Sequence, residues 1–332
     1  MTRGPVVESR HYGSVAIVDA DGRVVGSVGD PDRIAYLRSA AKSAQAAASL
    51  ATGAADAFGF TDTEVAVMCA SHRGQQRHTD AVQSILDKIG LDESALLCGA
   101  HAPGDARRTR ELAAAGREPT ALHNNCSGKH AGMLAACRQL GLDVADYIEP
   151  DHPLQQHILA TMATLSGVPE GDIATGRDGC GTVTFAMPLR GAATMFSRLA
   201  HPYGLPDDLQ EAATRARGAT GAHPAMVSAP GTFNTELLRA YASGLVAKGG
   251  AEGLFGIGFA DDGLGIAVKI DDGSARAIPP ICIALLRGVD RLGAEQEGAL
   301  SAFVEPRVRN ARKEVVGSIR AAIGELCRAG AL

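Results

Sequence analysis

The sequence predicts a mixed fold of the α/β (α+β) class: one antiparallel sheet built from strands at the two ends of the chain, with a helical region inserted between them. Three observations carry this expectation. Residues 14–30, SVAIVDADGRVVGSVGD, are β-branched and alternating on both sides of Asp21-Gly22, the residue pair that a tight hairpin turn favours. Residues 245–278 read as successive strands, LVAKGG, GLFGIGFA and LGIAVKIDDGSARAI, joined by Gly and Asp turns. Between these ends, apolar residues recur mostly at helical rather than strand spacing.

Taken in order, the hairpin is followed by an Ala-, Leu- and Gln-rich helical pattern from Ile34 to Ala51. EVAVMCA (64–70) is a short apolar run that fits a strand and a buried helix equally. Helical patterns follow near 75–89, 105–115, 128–140, 153–166, 188–200, 206–217 and 233–243. After the strands of 245–278 comes a helix over 280–292, and the tail adds one more helix or strand. No composition shift or low-complexity linker divides the chain, so a single domain spanning residues 1–332 is expected.

With 332 residues, 45% hydrophobic and 21% charged, the chain has enough apolar surface for a substantial core. A net charge of −5 and the absence of any Lys/Arg run argue against nucleic acid as a partner. No apolar stretch reaches membrane-spanning length, and no signal-like apolar segment opens the chain. The seven cysteines are an odd number and widely spread, which favours thiols or metal ligands over a disulfide framework. These features together predict a cytoplasmic protein. No G-x-G-x-x-G joins a strand to a helix and no P-loop is present, so nucleotide binding has no sequence support.

Two constellations could carry chemistry. RSAAKSAQ (38–45) contains Ser39-Ala-Ala-Lys42; a serine and a lysine three apart on a helix share a face. The amine can take the hydroxyl proton only where burial lowers its pKa, and the surrounding alanines offer such a setting; the competing reading is a solvated pair. Ser71-His72 follows the apolar run 64–69, and Lys248-Gly249-Gly250 ends a strand-like segment. The order S-x-x-K, then Ser, then K-[small]-G is that of β-lactamases and penicillin-binding enzymes, although SHR stands here for S-D-N and KGG for KTG. The second constellation is Cys126-x-x-Lys129 with Cys180 in RDGCG (177–181). From spacing alone two readings stand, a zinc site using the thiolates with Lys129 or His130, or a pair of buried, inert cysteines.

The stretches VVESRH, DADGR, GDPD, RSAAK, CASH, CGAH, PTALHNNCSGKHAGMLA, PDHPLQQ, RDGCG, AHPAMV and VAKGGAEG bring a family into view. In them the chain resembles the L-asparaginase II family, the rhizobial-type, zinc-containing asparaginases with a serine β-lactamase-like fold. HNNCSGKHAGM together with RDGC is the most specific part of the likeness. The resemblance implies a nucleophile at Ser39 with Lys42 as its base, and a second pair, Ser71 and Lys248, meeting the first in space. It implies one Zn2+ per chain held by Cys126, Lys129 and Cys180, with Asp178 beside the metal and counted among the substrate-binding residues. Arg38 and His72 flank the matched serines and are candidate substrate contacts. A homodimer is also implied. The activity expected is hydrolysis of L-asparagine to L-aspartate and ammonia through an acyl-enzyme. The alternatives are an amidase or transacylase acting on another amide, and a non-catalytic zinc-binding homologue.

The chain departs from the family pattern near the matched serines. Arg73 and Gln75 replace a hydroxyl and a carboxylate in SHSGE, and Thr232 and Asn234 replace the Arg and Asp of GRFDT. Gln75 is thereby expected to border the substrate pocket without supplying charge.

Overall fold

A computed structural model describes residues 1–323; positions 324–332 of the expected single domain lie outside the described residues. The chain opens with a short ribbon, β1 (Thr2–Arg3) against β2 (Val6–Val7). The expected hairpin follows as β3 (Gly13–Val18) and β4 (Val24–Val28). Its turn is pinned by Asp19, whose Oδ1 accepts from the backbone N–H groups of Asp21 and Arg23, while Gly22 takes φ +80°.

The segment expected to be helical from Ile34 begins instead as a strand, β5 (Ile34–Tyr36). Its backbone pairs with a distant strand that local sequence does not announce. A 3₁₀ turn over Arg38–Ala41 then leads into α1 (Lys42–Ala51). After α2 (Ala54–Ala57), the ambiguous EVAVMCA segment is helical as far as Met68, forming most of α3 (Asp62–Met68). A capping box decides for helix: Thr61 Oγ1 accepts from Glu64 N, and Glu64 Oε2 accepts from Thr61 N at 2.6 Å. Helices α4 (Gln76–Lys88), α5 (Ala106–Ala114), α6 (Ser127–Leu140) and α7 (Pro153–Ser166) follow close to the expected ranges.

Two strands without a sequence forecast come next, β6 (Ala174–Arg177) and β7 (Val183–Pro188). With β5 they form a three-stranded sheet in the order β5-β7-β6. Then come α8 (Leu189–Ala200), α9 (Asp207–Ala222), α10 (Pro224–Val227) and α11 (Phe233–Tyr241). The forecast strands appear as β8 (Leu245–Gly250), β9 (Leu254–Phe259) and β10 (Gly265–Ile270), followed by α12 (Ile278–Gly288). The tail adds α13 (Ala294–Ala299), α14 (Ser301–Val304) and a ribbon of β11 (Arg307–Arg309) and β12 (Val315–Ser318).

The main sheet has the order β4-β3-β10-β9-β8 and is antiparallel throughout. β3 from the beginning of the chain pairs with β10 from near its end, Gly13 opposite Ile270, as the two-ended sheet requires. Alternation along β3 divides the core between two faces. Ala16 and Val18 join the cluster that includes α1, α8 and α9, whereas Val15 and Ile17 join the one that includes α11 and α12. Among the described residues, no helix is long and apolar enough to cross a membrane.

α8 lies directly on the sheet, and small residues make that possible. A Cβ on Gly258 would stand 1.8 Å from the Phe196 carbonyl oxygen, a backbone atom that cannot step aside. Gly258→Ala should therefore cost about 1–3 kcal/mol, the usual range for overpacking a filled interior. In urea this reads as a lower midpoint with an unchanged m value. Gly218→Ala in α9, where an added Cβ meets nothing within 4 Å, should stabilise the helix, by about 0.5–1 kcal/mol. Equal shifts for the two variants would contradict this packing account.

Candidate active site

Lys42 is the first residue of α1, Ser71 lies just beyond α3, and Lys248 sits in the edge strand β8. The fold brings all three together. Lys42 Nζ donates to Ser71 Oγ at 3.0 Å, to the Ala70 carbonyl at 2.7 Å and to the Asn125 carbonyl at 3.1 Å. Those three acceptors match the three N–H bonds of an ammonium group. Lys248 Nζ lies 2.9 Å from the same hydroxyl and donates to the Gly249 carbonyl at 2.8 Å. Both amines are buried, at 1% and 2% exposure. Burial pushes Lys248 down to about 7, and the neighbouring Lys42 cation pushes the same way. Ser71 is thus a hydroxyl held between two amines, one of which loses its proton near neutrality.

Ser39 occupies the 3₁₀ turn before α1 and is half-buried. The Lys42 amine, three residues on, is directed to Ser71, and the Ser39 hydroxyl forms no hydrogen bond among the described residues. The turn is nonetheless held against β8. A Cβ on Gly250 would lie 2.4 Å from the Leu37 carbonyl, so only glycine lets the strand of Lys248 come so close. Arg38 begins the turn at φ +50°, a left-handed conformation that costs an L-residue about 1–2 kcal/mol. Its guanidinium is fixed by Asp178, with Nε 2.7 Å from Oδ1. The expected substrate contacts Arg38 and Asp178 are therefore partners of each other.

The thiol constellation also assembles. Cys126 precedes α6, Lys129 is in its first turn, and Cys180 lies in the loop between β6 and β7. Lys129 Nζ is 3.0 Å from Cys180 Sγ and 2.7 Å from Thr182 Oγ1, and Cys126 Sγ is 3.0 Å from Asn125 Oδ1. All three expected ligands are buried. Hydrogen bonding between the thiols, and then burial, raises Cys126, while the same bond draws Cys180 down, helped by His130 and the Lys129 cation. Burial alone would lower the Lys129 amine, but Cys126 and Cys180 hold it above its ordinary value. Close packing sets this geometry: a Cβ on Gly128 would stand 2.1 Å from the Val67 carbonyl, so the start of α6 is pressed onto the end of α3.

Beside the thiols lies His130. Leu97 N donates to the Tyr147 hydroxyl at 3.0 Å, and that hydroxyl meets His130 Nδ1 at 2.6 Å. His130 Nε2 is buried with no hydrogen-bond partner. Two soft sulfurs, an amine and a neighbouring orphaned ring nitrogen are a donor set that suits zinc. Among the described residues, no three His, Cys, Asp or Glu side chains gather closely enough to hold a metal by themselves. The Lys129 amine is therefore needed to complete a three-ligand set.

His72 turns inward. It is 1% exposed; Nδ1 accepts from Gly74 N at 3.1 Å, and Nε2 meets Ser127 Oγ at 2.9 Å. Burial, then the stacked His78, keeps it neutral well below the ordinary histidine range. With both nitrogens committed, it braces the Ser71 loop against α6. Gln75, the N-cap of α4, differs from expectation: its amide nitrogen donates to Asp105 at the start of α5, and it does not line the cavity beside Ser71.

Sequence reasoning gave two asparagines no structural role. Asn125 joins the centres, its carbonyl accepting from Lys42 and its side chain from Cys126. Asn234 clamps the free edge of β8 around Lys248: Nδ2 donates to the Ala247 carbonyl and Oδ1 accepts from Gly249 N, both at 2.9 Å. An aspartate, having no donor, could make only the second bond. The pair Asn124-Asn125 before Cys126 was a visible signal for the first asparagine; nothing local marked the second. Ser71 and Lys248 open onto a cavity of about 430 Å³, whose lining also includes Arg73, Asn125, Phe255 and Ile278.

A search of curated proteins found no match. Two solved structures of Mglu, in its native form and in its tris and glutamate form, align at 15% identity with a TM-score of 0.37. The alignments cover 85% and 84% of this chain but only 65% and 59% of those chains. The family description "L-asparaginase II" matches residues 1–321, nearly the whole sequence and well past the strands that carried the first resemblance. The chain belongs to the L-asparaginase II family.

Proposed function

We propose that the protein is an amidohydrolase of the L-asparaginase type, working through tandem serine–lysine pairs. One observation carries the reading: a single hydroxyl, Ser71, bridges two buried amines, and burial pushes one of them, Lys248, down to about 7. In this reading Ser39, whose hydroxyl forms no hydrogen bond among the described residues, attacks the amide carbonyl carbon. Its proton moves to Lys42 as Lys42 passes one to Ser71 and Ser71 passes one to Lys248. The carbon–nitrogen bond then breaks, the relay returns a proton to the departing amine, and water hydrolyses the ester left on Ser39. The five-stranded antiparallel sheet, with Lys248 on its edge strand and the S-x-x-K helix packed nearby, supports a serine β-lactamase-like reading of the fold.

The donor set supports one zinc held by Cys126, Lys129 and Cys180. Bound there, the ion would supply a Lewis acid and would pin the β6–β7 loop to α6. Lysine can ligate only as the free amine, so the metal takes the place of a proton on Lys129. A homodimer remains part of the proposal and is read from the molar mass in light scattering.

Three outcomes follow. Activity on asparagine should rise with pH through an apparent pKa near 7, because Lys248 must be neutral and its folded pKa is about 7. A flat profile between about pH 6 and 9 would exclude this base. Lys248→Met should lose about 10²–10⁴-fold in kcat. The same variant should be more stable than the parent at neutral pH. The unfolded lysine keeps its proton up to about 10.4, so the folded state loses stability as pH falls from there towards 7. Loss of activity together with loss of stability would instead indicate a structural lysine. Elemental analysis of protein prepared without chelators should give close to one zinc per chain. Cys126→Ser and Cys180→Ser should each lose the metal and lower the melting temperature; metal-free parent protein of unchanged stability would refute the site.

A further inference from the structure

The cavity that opens from Ser71 and Lys248 has apolar groups in its lining: Phe233, Leu254, Phe255, Ile278 and Pro279. Phe233 and Phe255 pack as a pair with centroids 5.3 Å apart. The same lining includes Arg73, whose side chain lies along Gly104 and donates through Nη1 to the Gly104 carbonyl at 3.2 Å. Arg73 forms no ion pair with any described residue, which leaves the rest of its guanidinium open to the cavity. No Asp or Glu appears among the described residues of the lining. Asp178 and Asp105 are committed elsewhere, to Arg38 and to the Gln75 amide.

Free asparagine brings a carboxylate and an ammonium and has no apolar side. Arg73 answers the carboxylate, but no carboxylate among the described lining residues answers the ammonium, and a cation beside the Arg73 guanidinium would be repelled. The volume of about 430 Å³ also exceeds what so small a molecule fills.

Building on the amidohydrolase reading, we propose that the preferred substrate is an N-acylated asparagine-type amide, with an uncharged α-nitrogen, an apolar acyl group against the Phe255–Ile278 wall and a carboxylate on Arg73. Acylation removes the unanswered cation and supplies the surface that the apolar wall can cover.

The test measures kcat/KM by ammonia release from L-asparagine, N-acetyl-L-asparagine, N-benzoyl-L-asparagine and the methyl ester of the last. The expected order is benzoyl above acetyl above free asparagine, with benzoyl ahead of asparagine by about tenfold or more, chiefly through KM. Esterification should cost about tenfold by removing the anion that Arg73 binds. Ala275, which is exposed and lines the same cavity, allows a variant that leaves the core untouched. Ala275→Asp should cut turnover of N-benzoyl-L-asparagine and raise that of free asparagine. Turnover of asparagine equal to or better than that of both acylated forms would overturn this substrate assignment while the hydrolase reading stands. Ammonia from none of the four would overturn both.

Discussion

The structure depends on the convergence of two buried amines on one serine oxygen. Lys42 and Lys248 each lie within hydrogen-bond reach of Ser71 Oγ, and both are almost fully removed from water. Two ammonium groups cannot share that space without a large electrostatic penalty, so one proton must leave. The fold resolves the conflict unequally. Lys42 has a full set of carbonyl and hydroxyl acceptors, whereas Lys248 has one carbonyl and the shared hydroxyl. A free base at neutral pH is the chemical product of that inequality.

Holding this arrangement requires elements from across the chain. Lys248 comes from an edge strand whose outward backbone groups are taken by Asn234, an amide that donates and accepts like a short neighbouring strand. Ser71 is tied down by its backbone N–H to the Val227 carbonyl at 2.9 Å, and His72 beside it is wedged against Ser127. The Ser39 turn is carried by β5, whose register with β7 also sets the loop of Asp178 and Cys180. The serine centre and the thiol centre therefore share a frame, and Asn125 bonds to both.

The departures from the family pattern act on the surroundings of this machinery. Asn234 replaces an acceptor-only carboxylate with a group that satisfies two backbone atoms and adds no charge near Lys248. Gln75 replaces a second carboxylate and faces Asp105, so the change leaves the cavity wall untouched. Arg73 alone among the substitutions on the Ser71 loop brings charge to the opening. The lysine–serine core is retained while the polarity of its entrance is altered, which separates reaction type from the choice of substrate.

Much was legible from the sequence. The alternation around Asp21-Gly22, the strands of 245–278 and the helices between them depend on local periodicity, and they formed where the pattern put them. The S-x-x-K, Ser and K-G-G positions and the Cys126, Lys129 and Cys180 set were visible because short motifs keep their spacing. What local order could not carry was contact between distant segments. Ile34–Tyr36 became a strand only because β7 was present to pair with it, and EVAVMCA became helix because the Thr61–Glu64 cap outweighed its β-branched content. The amine of Lys42 reaches across to Ser71 because three acceptors converge there from separate elements. Gln75, expected near the substrate, was drawn away to Asp105, while His72 stays in the cavity lining with its ring nitrogens held by Ser127 and Gly74. Residue types and spacings set the available chemistry; tertiary closure decided which donor met which acceptor, because only the folded chain brings a buried polar group to the partners that its burial demands.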